Sequence, residues 1–241
     1  MQIIGHRGAR GEAPENTLGG FAYLKQLGIR AVEFDVRQLP DDTLIVIHDD
    51  NLFRTSGKVG SVYQSQRHDL AHHDHRSKWK NWNNHEPTPL LSQVLDLLQD
   101  FQHIEVEIKA VANQAQAERL IGTLEQQLKG FERSATITSF DEKILQALQR
   151  SQSQFQRGLL IEDNIKTQAI EKAIKYGCTR LGWKDKLATP DMIELSKLAK
   201  LAVSVWTVND ASRAKILLDQ GIDGLITDFP KTMQQQLGIL E

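Results

Sequence analysis

The sequence of 241 residues predicts a closed parallel β/α barrel of the TIM (β/α)8 type. Eight short apolar segments typical of buried strands alternate with segments whose apolar residues recur at helical spacing. Eight such units in about 250 residues match the size of this barrel. A doubly wound open sheet would alternate in the same way, but no GxGxxG follows the first strand, which disfavours the dinucleotide-binding form.

The predicted elements run in order along one domain that spans residues 1–241. The strands are predicted at residues 2–5, 31–36, 104–109, 135–139, 157–161, 179–183, 202–207 and 224–227. The helices are predicted at residues 17–27, 90–98, 115–128, 141–148, 165–176, 190–201 and 210–220. The alternation breaks at about residues 37–89, where a strand at 43–48 precedes a polar stretch. We interpret this segment as an insertion between the second strand and its helix.

The composition excludes several classes of function. The formal net charge is −2 and no basic stripe is present, so we expect no nucleic-acid partner. No apolar run approaches the roughly 20 residues that span a bilayer, and we expect no stable membrane association. The first residues enter a predicted strand without a signal-peptide pattern. A single cysteine, Cys178, forms no intrachain disulfide, and we expect a cytoplasmic protein.

Acidic side chains alternate with apolar ones in two predicted strands. Glu33 and Asp35 share one face of VEFDV (32–36), and Glu105, Glu107 and Lys109 share one face of IEVEIK (104–109). These strands adjoin in the barrel, so the acids converge at one rim, where oxygen ligands suit Mg²⁺ or Ca²⁺. The alternatives are solvated acids on an edge strand, or a salt-bridge network in which basic side chains neutralise the acids.

Two histidines stand at predicted strand ends. His6 ends the first strand and is followed by Arg7 and Gly8, while His48 ends the strand at 43–48. One histidine in such a place is more often structural than catalytic, but two beside an acidic site can serve as general base and general acid. Arg7 can bind a phosphate through two N–H groups, and Gly8 lets backbone approach an anion.

Two further features have alternative interpretations. Trp206 ends its strand, where it either stacks on the carbon skeleton of a small ligand or seals the barrel rim. Asp228 and Pro230 are interpreted as the start of the last helix. The segment at residues 72–75 (HHDH) contains side chains that can bind a metal, but their spacing matches no helical or zinc-ribbon pattern. We therefore assign it to a solvated insertion that caps a substrate cleft.

The chain resembles the glycerophosphodiester phosphodiesterase family. The matching segments occur in the family's order and span almost the whole chain: HRG (6–8), PENT (14–17), EFDV (33–36), HDDNLFRT (48–55), EIK (107–109), WTVN (206–209) and GIDGLITDFP (221–230). The resemblance implies a β/α barrel with a small insertion, which hydrolyses glycerophosphodiesters to glycerol 3-phosphate and an alcohol with a divalent metal.

The resemblance also implies roles for single residues, as follows. Glu33, Asp35 and Glu107 would hold the metal; His6 and His48 would be the acid–base pair; Arg7 and Lys109 would contact phosphate; and Trp206 would line the glycerol pocket. Which histidine is the acid, and whether water or the glycerol 2-hydroxyl is the nucleophile, stays open. So do the alcohol, the metal and the oligomeric state.

The chain departs from the family's pattern in three places. LPDD (39–42) replaces a turn that commonly carries Asp-Gly, and Thr55-Ser56 replaces a common Thr-Thr. Glu105 stands where a neutral Asn is frequent, and it is expected to be a further metal ligand, a partner of Lys109, or a residue outside the metal's ligands.

Other functions share parts of this pattern. A lysophospholipase D, or a lyase that closes a cyclic phosphate, would keep the chemistry but change the substrate. A barrel that only binds a phosphorylated ligand would not need two proton carriers, so the two histidines favour an enzyme.

Overall fold

The computed structural model describes residues 1–239, which contain a closed barrel of eight parallel strands. The strands are β1 (Gln2–His6), β2 (Ala31–Gln38), β4 (His103–Ile108), β5 (Ala135–Ser139), β6 (Gln156–Ile161), β7 (Arg180–Lys184), β8 (Ala202–Trp206) and β9 (Gly224–Thr227). Their order is β1-β9-β8-β7-β6-β5-β4-β2, and β1 also pairs with β2. This closure confirms the predicted barrel. The short β3 (Leu44–Val46) pairs antiparallel with β2 outside it.

Helices lie between the strands, on the outside of the barrel. They are α1 (Leu18–Gln26), α2 (Phe53–Ser56), α3 (Leu91–Leu97), α4 (Gln114–Gln127), α5 (Glu142–Arg150), α6 (Gln168–Lys175), α7 (Pro190–Leu198), α8 (Ala211–Asp219) and α9 (Pro230–Leu237). Among residues 1–239, no helix combines the length and the hydropathy needed to cross a lipid bilayer.

The alternation along β2 shows how the sequence builds the barrel wall. Val32, Phe34 and Val36 are fully buried in the main core against the helices. Glu33 and Asp35 therefore point into the barrel, because successive side chains of a strand lie on opposite faces. The predicted orientation of the two carboxylates follows from the burial of their apolar neighbours.

Glu105 lies two residues before Glu107 on β4 and pairs in register with Glu33. Its carboxylate is fully buried and lies 3.0 Å from Nε2 of His103 and 3.5 Å from Nη1 of Arg180. The hydroxyl of Ser204 donates to the same carboxylate at 3.4 Å. Of the three roles expected for Glu105, pairing with Lys109 is not observed. The carboxylate is neutralised by a different cation, Arg180.

Several predicted strand ends differ by one or two residues from the observed ones, and two of these differences leave a predicted site residue outside its strand. β3 ends at Val46, and the carbonyl of His48 accepts two hydrogen bonds from the Arg37 guanidinium, at 3.0 and 2.7 Å. His48 therefore lies in the loop that follows β3. Lys109 lies just after β4, which ends at Ile108.

The segment between β2 and α3 packs on a small core of its own. Its buried apolar residues are Leu39, Ile45, Ile47, Leu52, Val62 and Leu70. Within this segment, the buried His73 and His75 both lie within hydrogen-bond distance of the Thr88 hydroxyl, at 2.8 and 2.6 Å. These histidines contribute to the packing of the segment.

Candidate active site

The register of the strands brings the acidic residues to one rim. His6 in β1 pairs with Glu33 in β2, and Asp35 in β2 pairs with Glu107 in β4. All four residues lie near the carboxyl ends of parallel strands, the face on which barrels of this class carry their active sites. The side chains predicted from two distant parts of the sequence are therefore neighbours.

Glu33, Asp35 and Glu107 form the cluster that we call the carboxylate trio. One oxygen from each lies within 4.8 Å of the others, and all three residues are buried. Burial and the neighbouring carboxylates raise the pKa of Glu33 well above its usual range and raise the pKa of Glu107 to about 7. The repulsion that causes these shifts is the kind that a bound cation relieves.

Two cations contact the trio. Lys109 lies 2.5 Å from Oδ1 of Asp35 and also forms an ion pair with Glu107. Nε of Arg7 lies 3.3 Å from Oδ2 of Asp35. Although burial opposes ionisation of Asp35, Lys109 and Arg7 together hold its pKa well below its usual range. The salt-bridge interpretation thus describes part of the site, and it leaves Glu33 and Glu107 only partly neutralised.

His6 is fixed by a carboxylate from the other end of the chain. Its Nδ1 lies 2.6 Å from Oδ1 of Asp228, while its Nε2 faces Glu33 at 3.9 Å. Burial lowers the pKa of His6, although the bond to Asp228 opposes this effect. The imidazole is therefore neutral near pH 7, with Nε2 turned toward the trio.

His48 has the same arrangement with a different partner. Its Nδ1 lies 2.7 Å from Oδ1 of Asp49, and Oδ2 of Asp49 accepts a hydrogen bond from Nε of Arg54 at 2.6 Å. Both terminal nitrogens of Arg54 donate to Glu15, at 2.6 and 2.7 Å. Burial lowers the pKa of His48 to about 4, and Arg7 adds to this effect. His48 can therefore accept a proton at neutral pH.

The loop after β1 is shaped by close packing. Arg7 has a φ of 52°, and its backbone N–H donates to Oε2 of Glu33 at 3.1 Å. A Cβ on Gly5 would lie only 1.9 Å from the carbonyl oxygen of Gly8, so only glycine fits at position 5. Asn16, from the PENT segment, donates to Oδ2 of Asp35 at 2.8 Å. The two quoted motifs thus fold back onto the trio.

A cleft of about 230 Å³ opens at this rim and contains every predicted site residue except the deeply placed Asp35. On one side it is lined by His6, His48, Arg7, Lys109, Glu33 and Glu107. On the other side it is lined by apolar side chains that include Trp206. The Trp206 indole donates to the carbonyl oxygen of Gly182 at 3.0 Å, so the ring is fixed as a wall of the cleft.

The sequence reasoning missed the partners of both histidines. Asp228 was assigned to the start of the last helix, but α9 begins at Pro230 and Asp228 binds His6 instead. Asp49, Arg54 and Glu15 lie inside quoted motifs, but no role was assigned to them. The only local signal was the charge of Asp49 next to His48. The contact of Asp228 depends on the closure of the barrel and has no local signal.

The residues present fit a divalent cation. Three buried carboxylate oxygens are hard ligands of the type that Mg²⁺ and Ca²⁺ prefer, and no softer donor takes part in this cluster of the described chain. Two neutral imidazoles that line the same cleft can carry protons. The arrangement can therefore bind an anionic group beside a cation and transfer protons to and from it.

Comparison with known proteins gives one family. The sequence model of the Glycerophosphoryl diester phosphodiesterase family matches residues 6–232. The chain is 27% identical over 234 residues to the glycerophosphodiester phosphodiesterase of Caldanaerobacter subterraneus subsp. tengcongensis, with 96% of this chain and 95% of the relative covered.

Solved structures of similar proteins have the same fold. An Oleispira antarctica phosphodiesterase, solved in complex with the product sn-glycerol-3-phosphate, has a TM-score of 0.87 and 25% identity, and the match covers 99% of this chain and 97% of that one. The glycerophosphodiester phosphodiesterase of Agrobacterium tumefaciens strain C58 has a TM-score of 0.82 and 24% identity, and the match covers 98% of this chain and 99% of that one.

Proposed function

The chain belongs to the glycerophosphoryl diester phosphodiesterase family, and from that premise we propose that it hydrolyses glycerophosphodiesters to glycerol 3-phosphate and an alcohol. One observation carries the proposal. Two imidazoles, each with Nδ1 at a carboxylate, line one cleft together with three carboxylates that could hold a dication. The Oleispira antarctica relative with its bound product supports a small phosphate ester as the substrate.

The negative charge of the phosphodiester is the first obstacle to hydrolysis. A divalent cation held by Glu33, Asp35 and Glu107 would offset that charge and stabilise the crowded transition state. Arg7 and Lys109 line the cleft and supply further positive charge toward the phosphoryl oxygens. The backbone N–H of Arg7 holds Glu33 in place for this role.

The two histidines carry the protons. One Nε2 accepts a proton from the attacking hydroxyl, and the other imidazole, once protonated, donates to the leaving alcohol oxygen. The carboxylates of Asp228 and Asp49 at the Nδ1 atoms fix each ring and stabilise its protonated form. The base ends a turnover with one extra proton and the acid with one fewer, so proton exchange with solvent restores both imidazoles before the next cycle.

The test is a panel of metals and substrates on the chelated protein. Glycerophosphocholine and glycerophosphoethanolamine are offered with Mg²⁺, Ca²⁺ and Mn²⁺, and glycerol 3-phosphate is measured. His6→Ala and His48→Ala are each expected to lower kcat by about 10³-fold or more while metal binding remains. His68→Ala, a change at an exposed histidine, is the control. Near-normal turnover in either active-site variant would exclude the assigned roles.

A further inference from the structure

The active-site cleft has a second wall of a different chemistry, opposite the charged residues. Phe140, Leu160, Trp206 and Ile226 give it an apolar surface. The rings of Phe140 and Trp206 pack edge to face with centroids 5.4 Å apart. A small carbon skeleton fits against such a wall, but its hydroxyl groups would need polar partners there.

The indole of Trp206 supplies no such partner. Its N–H is already bonded to the carbonyl oxygen of Gly182, so the ring offers the cleft only its apolar surface. On this side of the cleft the polar side chains are Glu162 and Thr207. Of the two, the carboxylate is the stronger acceptor, because it carries a full negative charge and accepts through both oxygens, whereas the hydroxyl is both donor and acceptor.

Glu162 follows directly on β6 and is exposed at the rim of the cleft. Within the described residues its carboxylate has no hydrogen-bond or ion-pair partner, unlike the carboxylates on the opposite wall. A hydroxyl-bearing ligand that lies along the apolar wall would therefore have a free acceptor within the same cleft.

We propose that Glu162 accepts a hydrogen bond from a free hydroxyl of the substrate's glycerol end and so selects unacylated glycerophosphodiesters over lysophospholipids. This inference rests on the proposed function and names the substrate class of the same site. An acyl chain on that hydroxyl removes the donor and leaves the carboxylate without a partner. The acyl chain would also replace water at the exposed carboxylate with apolar surface, which costs the hydration of the charge.

The experiment compares three substrates: glycerophosphocholine, its analogue in which the terminal glycerol hydroxyl is replaced by hydrogen, and lysophosphatidylcholine. Glu162→Ala is expected to lower kcat/KM for glycerophosphocholine by about 10- to 100-fold, mainly through KM. Turnover of the deoxy analogue and of lysophosphatidylcholine should not fall. Glu162→Gln, which keeps one acceptor oxygen, should lose less. The neighbouring Asp163→Asn is the control, because Asp163 does not line this cleft.

Two results would overturn the inference. One is an equal loss for glycerophosphocholine and its deoxy analogue. The other is a loss confined to substrates with a cationic alcohol, which would mean that Glu162 binds the headgroup; glycerophosphoethanol is the neutral comparison.

Calorimetry of glycerol 3-phosphate binding separates this inference from the proposed function. Glu162→Ala should weaken the binding of glycerol 3-phosphate at least tenfold and leave the binding of inorganic phosphate unchanged. If the wild-type chain hydrolyses no diester, but Glu162→Ala still weakens the binding of glycerol 3-phosphate and not that of inorganic phosphate, the proposed function fails and the Glu162 assignment stands. If turnover is normal and Glu162→Ala changes neither KM nor the binding of glycerol 3-phosphate, only the Glu162 assignment fails.

Discussion

Nδ1 of His6 lies 2.6 Å from Oδ1 of Asp228, although 222 residues separate them in the chain. The parallel pairing of β1 with β9 makes this contact possible, because it places Gly5 beside Thr227. Asn209 donates to the other oxygen of Asp228 at 2.9 Å and fixes the carboxylate in turn. The residue that follows the last strand of the barrel therefore orients a side chain of the first strand.

Asp228→Asn is expected to lower kcat about 100-fold or more, because an amide neither stabilises a protonated His6 nor enforces the tautomer that leaves Nε2 free. Asp228 acts through His6, so the pH profile of kcat/KM should change its shape and not only its height. Glycerol 3-phosphate release over pH 5–9 measures both effects. Asp219→Asn, an exposed change on α8, should leave the profile unaltered. An unchanged profile for Asp228→Asn would assign the residue to barrel closure alone.

Glu107→Gln is expected to weaken the binding of Mg²⁺ or Ca²⁺ at least tenfold, since an amide oxygen is a poorer ligand than a carboxylate oxygen. Calorimetry on chelated protein measures the affinity. Glu105→Gln is the matched control on the same strand. This variant should keep its metal affinity, but its free energy of unfolding should fall by about 3 kcal/mol, because Arg180 loses its buried counter-charge. Equal loss of metal affinity in both variants would contradict the assignment of the ligands.

This pair of glutamates marks the limit of the sequence reasoning. The alternation in β2 and β4 predicted correctly that the acids face inward. It could not separate Glu105 from Glu107, because both lie on the same face and differ only in depth, by about 6.6 Å along the strand. The partner that distinguishes them, Arg180, lies on β7 across the barrel. That contact is a property of the closed structure.

The same limit applies to the partners of the histidines. The prediction of His6 and His48 as site residues rests on local features, strand ends and motifs, although His48 lies in the loop after β3. Asp228 was assigned to the start of a helix because a Pro follows it closely in the sequence. Its contact with His6 requires barrel closure. Asp49 was within reach of local reasoning, since it is the next residue after His48 and an imidazole in a catalytic role is commonly oriented by a carboxylate.

Arg54→Lys is expected to lower kcat about tenfold with a smaller effect on KM. The guanidinium binds both oxygens of Glu15 and one oxygen of Asp49 at once, and a single ammonium cannot reproduce that geometry. Asp49, and through it His48, would be less well oriented. Steady-state kinetics with glycerophosphocholine measures the effect. Arg76→Lys, in the same insertion but bonded to Asp74, should leave kcat unchanged. Parallel losses in the two variants would point to the insertion's stability instead.

His75 is expected to make the fold sensitive to acid. Burial lowers its pKa to about 4, from 6.5 in an unfolded chain, so the unfolded chain binds the proton more readily. The stabilisation is complete above pH 6.5, falls by about 3 kcal/mol as the pH drops to 4, and is constant below that. Urea unfolding at pH 7.5 and pH 4 measures it. His75→Gln keeps polar contacts to Thr55 and Thr88 but removes the titrating group. Between pH 7.5 and pH 4, its free energy of unfolding should therefore fall by about 3 kcal/mol less than that of the wild type. The exposed His68→Gln should behave as the wild type, and an identical acid loss in all three proteins would exclude His75 as the cause.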